Sequence, residues 1–159
     1  MSSQKLNSLN HCVFNIQFHL ILVTKYRRRC FNDEILIRLE NIFKTVIVKQ
    51  KCTIVEFNGE VDHIHVLLRI RPDIQPSKLV NILKSVSSRY LRQEFRCHFS
   101  KYYWKPVLWS KSYCLISVGG APIEILKRYI QKQDRPNGAY PSTSKFSKLN
   151  LEVVFRQLG

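Results

Sequence analysis

Acidic side chains are scarce in this chain: its 159 residues carry 11 Asp and Glu against 26 Lys and Arg, a formal charge of +15 at pH 7. Such an imbalance costs the folded state self-repulsion unless an anionic partner offsets it. Nucleic acid is the expected partner, with an anionic membrane surface as its competitor. A second absence weighs against the membrane, because the sequence has neither a continuous apolar run of 18 residues nor a polybasic amphipathic helix. Paired-thiol chemistry is missing too: Cys12, Cys30, Cys52, Cys97 and Cys114 form an odd set with no C-x-x-C pair, and the N-terminus lacks a signal-peptide pattern. Reduced thiols in a cytoplasmic protein are expected. Finally, there is no H-E-x-x-H, no Walker-type glycine loop and no glycine nucleophile elbow, which removes the commonest zinc-protease, NTPase and hydrolase readings.

An apolar content of 45%, with no internal repeat or linker, suits a single domain over residues 1–159. The stretch His11 to Thr24 is rich in β-formers and predicts a central strand that leaves into the basic cluster Lys25-Tyr26-Arg27-Arg28-Arg29. Asn32 offers an N-cap, and Leu36, Leu39, Phe43 and Val46 recur at helical spacing, so a helix is expected over about 33–50. Two strands follow, Thr53–Phe57 and Val61–Ile70, with Asn58-Gly59 as a tight hairpin turn. Pro76 opens a second helix to about Phe95, with an apolar stripe of Leu79, Leu83, Val86 and Tyr90. A strand within Trp109–Val118 and a third helix from Pro122 to near Asp134 complete the order, before a polar loop and a last segment of uncertain type. Two helices over one face of a mostly antiparallel sheet is the simplest packing, an α+β, ferredoxin-like (RRM-like) fold.

The chemistry-bearing feature is Val61-Asp62-His63-Ile64-His65-Val66. On a strand, His63 and His65 share one face and Ile64 takes the other, which makes half of a metal site. Asp62 points away from His63 in an ideal strand and is read as a support for the site or as structural. A metal beside so basic a surface suggests phosphoryl transfer, and a tyrosine can supply the nucleophile as a covalent phosphotyrosine. On a helix, a tyrosine with an oxygen ligand four residues on presents both groups together, a condition met by Tyr129 with Gln133 and by Tyr90 with Glu94. Spacing does not choose between them, although Tyr90 continues an apolar stripe and reads as core.

Leu22-Val-Thr-Lys-Tyr-Arg-Arg-Arg29, Val61-Asp-His-Ile-His-Val-Leu-Leu68, Lys84-Ser-Val-Ser-Ser-Arg89, Leu108-Trp-Ser-Lys-Ser-Tyr113 and Lys127-Arg-Tyr-Ile-Gln-Lys-Gln133 occur in that order. Through them the chain resembles the single-tyrosine HUH transposases of bacterial and archaeal insertion sequences, the small TnpA-type, IS200-like class. The resemblance implies an HUH nuclease fold, His63, His65 and Gln133 as ligands of Mg²⁺ or Mn²⁺, and Tyr129 as the nucleophile, carried on the C-terminal part, about 121–159. It also implies hairpin-bearing single-stranded DNA as substrate and a homodimer with composite active sites. Expected DNA contacts are Lys25, Arg27, Arg28 and Arg29, then Lys84 and Arg89, and finally Tyr103 and Trp104 in the run Lys101-Tyr-Tyr-Trp-Lys105, whose rings suit unpaired bases. A relaxase, a replication initiator or a domesticated repeat-associated relative would keep the same chemistry. A non-catalytic ferredoxin-like binder would explain the charge and rings, but not His63, His65, Tyr129 and Gln133 together.

Overall fold

The computed structural model describes residues 7–118. The third helix expected from Pro122, the residues Tyr129 and Gln133, and the tail lie outside the described residues.

Among the described residues the strands and α-helices follow in the order β1 (Asn7–Leu9), β2 (Cys12–Phe14), β3 (Ile16–Val23), α1 (Asp33–Lys49), β4 (Thr53–Gly59), β5 (His63–Ile70), α2 (Pro76–Glu94), the short α3 (Arg96–Phe99) and β6 (Cys114–Ser117). Four strands form one antiparallel sheet in the order β4-β5-β3-β6. With α1 between β3 and β4, and α2 between β5 and β6, this is the β-α-β-β-α-β arrangement of a ferredoxin-like domain. The fold expected from the sequence is the one observed.

Alternation along the strands divides the sheet into two faces. Leu20, Leu22, Ile64, Val66, Leu68 and Ile70 turn towards the helices, where they meet Ile35, Leu39, Phe43 and Ile47 of α1 and Leu79, Val80 and Leu83 of α2 in one core. Ile21, Val23 and Cys114 form a second, smaller cluster on the opposite face. Asn32 caps α1 by accepting a 2.9 Å hydrogen bond from the Ile35 amide, and Asp33 and Glu34 occupy the first turn, where negative charge is favoured. Pro76 starts α2 where its missing N–H costs nothing.

Several boundaries differ from expectation for identifiable reasons. The stretch His11–Thr24 is not one strand: residues 7–14 fold into a separate hairpin turning at Asn10, whose φ of 51° an asparagine tolerates, and β3 begins at Ile16. Asn58-Gly59 is not the turn between β4 and β5, because pairing runs through Asn58↔His65 and Gly59↔Ile64 and the chain reverses over residues 60–62, closed by Glu60 N–H to His63 O at 2.8 Å. Gly59 serves packing instead, since a Cβ there would collide with Leu36 of α1. The buried stripe of α2 runs through Leu79, Val80, Leu83, Ser87 and Leu91, which leaves Tyr90 at 40% exposure and outside the core. Only Cys114–Ser117 of the expected last strand joins the sheet, although Trp109 bridges to Thr24. All five cysteines are free thiols, and no described helix is long and apolar enough to cross a membrane.

Candidate metal centre and nucleic-acid interface

Cross-strand register fixes the two histidines of β5. His63 lies opposite Val23 and His65 opposite Ile21, on the face away from the helices, while Ile64 between them is fully buried in the main core. Each imidazole is held by a second group. The Nδ1 of His63 is 2.8 Å from Oδ1 of Asp62, whose other oxygen lies 3.1 Å from the Arg27 guanidinium. Burial pulls the Asp62 carboxyl upward, but the hydrogen bond with His63 and the Arg27 charge outweigh it and hold the group below the usual carboxylate range. An ionised Asp62 accepting Nδ1–H directs the lone pair of His63 to Nε2, the tautomer that carboxylate–histidine–metal arrangements use.

The Nε2 of His65 lies 2.8 Å from Nδ1 of His19, a β3 residue that sequence reasoning missed. Burial lowers the pKa of His65 to about 4, with the neighbouring His19 and His63 adding to the effect, so the ring is neutral at pH 7 and competent as a ligand. Its Nδ1 is buried and has no hydrogen-bond partner among the described residues. Two imidazoles on one sheet face, that of His65 with an orphaned buried nitrogen, fit a divalent cation as half of its ligand set. Among the described residues no three His, Cys, Asp or Glu side chains converge as a complete cage.

The basic residues separate into two kinds. Arg27 is withdrawn from the expected DNA contacts: Tyr26 and Arg27 adopt positive φ values of 59° and 50°, which turn the Arg27 side chain inward to 5% exposure against Asp62. Its charge is committed to a carboxylate, whereas Arg28 and Arg29 stay exposed and Lys25 is half-buried. Tyr103 is likewise buried, and its hydroxyl donates to Lys25 O at 2.8 Å, so its ring is not open to a base. Trp104, the next residue, is 96% exposed. That Tyr103 bond and Lys25 N–H to Leu108 O at 2.7 Å stitch the loop carrying Lys101, Trp104 and Lys105 to the turn carrying Lys25, Arg28 and Arg29. Two patches that are separate in sequence thus meet. On α2, Lys84 donates to Lys111 O at 2.9 Å, and the exposed Arg89 lies over the Tyr90 ring.

Tyr90 and Glu94, the alternative nucleophile and ligand pair, are not poised for chemistry. The Glu94 carboxylate is taken by both the Nε and the terminal nitrogen of Arg38, each at 2.6 Å.

The family model described as "Transposase IS200 like" matches residues 12–133, most of the chain. The chain belongs to the IS200-like transposase family. Among curated members it is similar to the transposase of insertion sequence element IS200 from Salmonella typhimurium, with 31% identity over 126 residues, which cover 79% of this chain and 82% of that one. It is also similar to the ISDra2 transposase TnpA of Deinococcus radiodurans, at 26% identity over 121 residues, 76% of this chain and 86% of that one. A crystal structure titled as a putative transposase from D. radiodurans R1 superposes with a TM-score of 0.75 at 27% identity, over 82% of this chain and 99% of that one. The matched region contains the His63/His65 face and extends over the positions of Tyr129 and Gln133.

Proposed function

We propose that this IS200-like transposase cleaves and rejoins single-stranded DNA at insertion-sequence ends through a 5′-phosphotyrosine. The observation that carries the reading is the pair of individually supported imidazoles on the sheet face away from the helices, beside a basic surface, within a transposase family domain. His63 and His65, with Gln133 as the third ligand, would hold Mg²⁺ or Mn²⁺, hard enough ions to accept an amide oxygen. When bound, such an ion polarises a phosphate oxygen and offsets the charge that grows there during displacement. Tyr129 is the nucleophile: its phenolic oxygen bonds to phosphorus as the P–O3′ bond breaks, and the phenol proton balances the charge on the released 3′-oxygen. Attack on the phosphotyrosine by a 3′-hydroxyl from another cleaved end reverses these bond changes, so joining needs no ATP. The chain acts as one domain in the cytoplasm, as a homodimer whose C-terminal part, about 121–159, carries Tyr129 to a composite site.

The metal and its two histidines are tested together. A single-stranded oligonucleotide carrying an element end should be cleaved with Mg²⁺ or Mn²⁺ and not with EDTA, and His63→Ala or His65→Ala should each slow cleavage by about 10² or more. Cleavage at the wild-type rate in both variants would overturn the reading.

Lys25, Arg28 and Arg29, with Lys84 and Arg89 from α2, supply phosphate contacts, and Trp104 stacks on an unpaired base. Replacing Trp104 with alanine is expected to weaken single-stranded DNA binding by about 1–3 kcal/mol, roughly 5- to 150-fold. Because the ring is 96% exposed, the melting temperature should stay put. Equal affinities in a fluorescence-anisotropy titration would remove the stacking role.

A further inference from the structure

His19 is buried to 4% exposure on the same sheet face as the candidate ligands, yet it has no part in the reaction as described. It pairs with Leu67 across β5 and with Ile116 across β6, two residues along β3 from the Ile21↔His65 pair and on the same face. Its cross-strand neighbours on both sides are apolar, the Glu56 carboxylate acts on it only through its charge, and its hydrogen-bond partner is His65: Nδ1 of His19 stands 2.8 Å from Nε2 of His65, and the rings lie 4.9 Å apart at an interplanar angle of 20°. Only one proton fits between those nitrogens. The far nitrogens, Nε2 of His19 and Nδ1 of His65, are both buried without a hydrogen-bond partner among the described residues.

An imidazole that ligates a metal commonly donates its other N–H to an acceptor that fixes ring and tautomer. Asp62 is placed to do this for His63. We propose that His19 is the positioning residue for His65: its Nδ1 accepts the Nε2 proton of His65, which leaves the second ring nitrogen of His65 with its lone pair towards the cation. The inference rests on the reading of His65 as a ligand. The two supports differ in charge, and that difference has a use. With an imidazole rather than a carboxylate behind His65, and the Asp62 carboxylate balanced by Arg27, the two supports themselves add little net negative charge to the site. A divalent cation there retains its attraction for a phosphate.

Two substitutions of similar bulk separate positioning from packing. Asparagine at position 19 offers Oδ1 near the place of Nδ1, whereas leucine fills space and accepts nothing. Mn²⁺ binding to the full chain, followed by electron paramagnetic resonance without DNA, should weaken about 10- to 100-fold in His19→Leu. In His19→Asn it should stay near wild type, and in His65→Ala it should be lost. Wild-type Mn²⁺ affinity in His19→Leu, or an equal loss in His19→Asn, would overturn the proposal while His65→Ala still reports a working site. Undiminished binding in His65→Ala would instead sink the metal reading itself. Failure of both His19 variants to fold would make His19 a packing residue and end the proposal.

Discussion

Tyr129→Phe is expected to abolish the covalent protein–DNA product and to slow strand cleavage by at least about 10³-fold, the scale on which enzymes lose activity when the attacking group is removed. The substitution deletes one oxygen and keeps the ring, so DNA and Mn²⁺ affinities should be unchanged. Denaturing gels of the protein with labelled oligonucleotide would show a slow band for wild type and none for the variant. Tyr90→Phe is the natural control, because its candidate oxygen ligand, Glu94, is already held by Arg38. It should form the adduct at the wild-type level. An adduct that persists in Tyr129→Phe would remove the nucleophile assignment, and one that vanishes only in Tyr90→Phe would move it to α2.

Strand periodicity made the sheet and the histidine pair legible in the sequence. A period of two requires Ile64 to face opposite to His63 and His65, and the observed burial of Ile64 in the helix-side core satisfies it. Local pattern could not reveal relations created by register or backbone twist. His19 is one histidine in an apolar run, and only the pairing of β3 with β5 sets it against His65. Arg27 sits among three consecutive arginines that look alike as a string, and the left-handed backbone at residues 26 and 27 selects one of them for the interior. Gly59 looked like turn chemistry beside Asn58, but the requirement is the approach of Leu36 from α1, a contact between segments far apart in sequence. The run 101–105 held both a buried and an exposed ring, and the Tyr103 bond to Lys25 O decides which is which. Tyr129 and Gln133 rest on helical spacing and family resemblance, outside the described residues.

Asp62→Ala is expected to produce two separable losses. The first is stability: removing one partner of a buried ion pair typically costs about 3–5 kcal/mol, because the remaining charge stays in a poor solvent environment. Arg27 has little room to escape to water, since the turn that buries it is pinned by Thr24, whose N–H and hydroxyl both reach Asp62 O, at 3.0 and 3.1 Å, and whose hydroxyl also reaches Arg28 O at 2.8 Å. The second loss is metal affinity, about 10- to 100-fold, because His63 no longer has the acceptor that sets its tautomer. Arg27→Met added to Asp62→Ala should recover part of the stability by removing the buried charge that has lost its Asp62 carboxylate, yet recover none of the Mn²⁺ affinity. Acid behaviour supplies an independent check. The Asp62 carboxyl has a lower pKa folded than unfolded, so below its ordinary value of 3.8 the unfolded chain takes up the proton first. The stabilisation from this group is therefore complete above that range and disappears as the pH falls through the depressed value, and denaturant midpoints of Asp62→Ala should lack this part of the acid decline. Equal midpoints for wild type and Asp62→Ala at neutral pH would show that Arg27 does not depend on this carboxylate, and recovery of Mn²⁺ affinity in the double variant would show that His63 does not either.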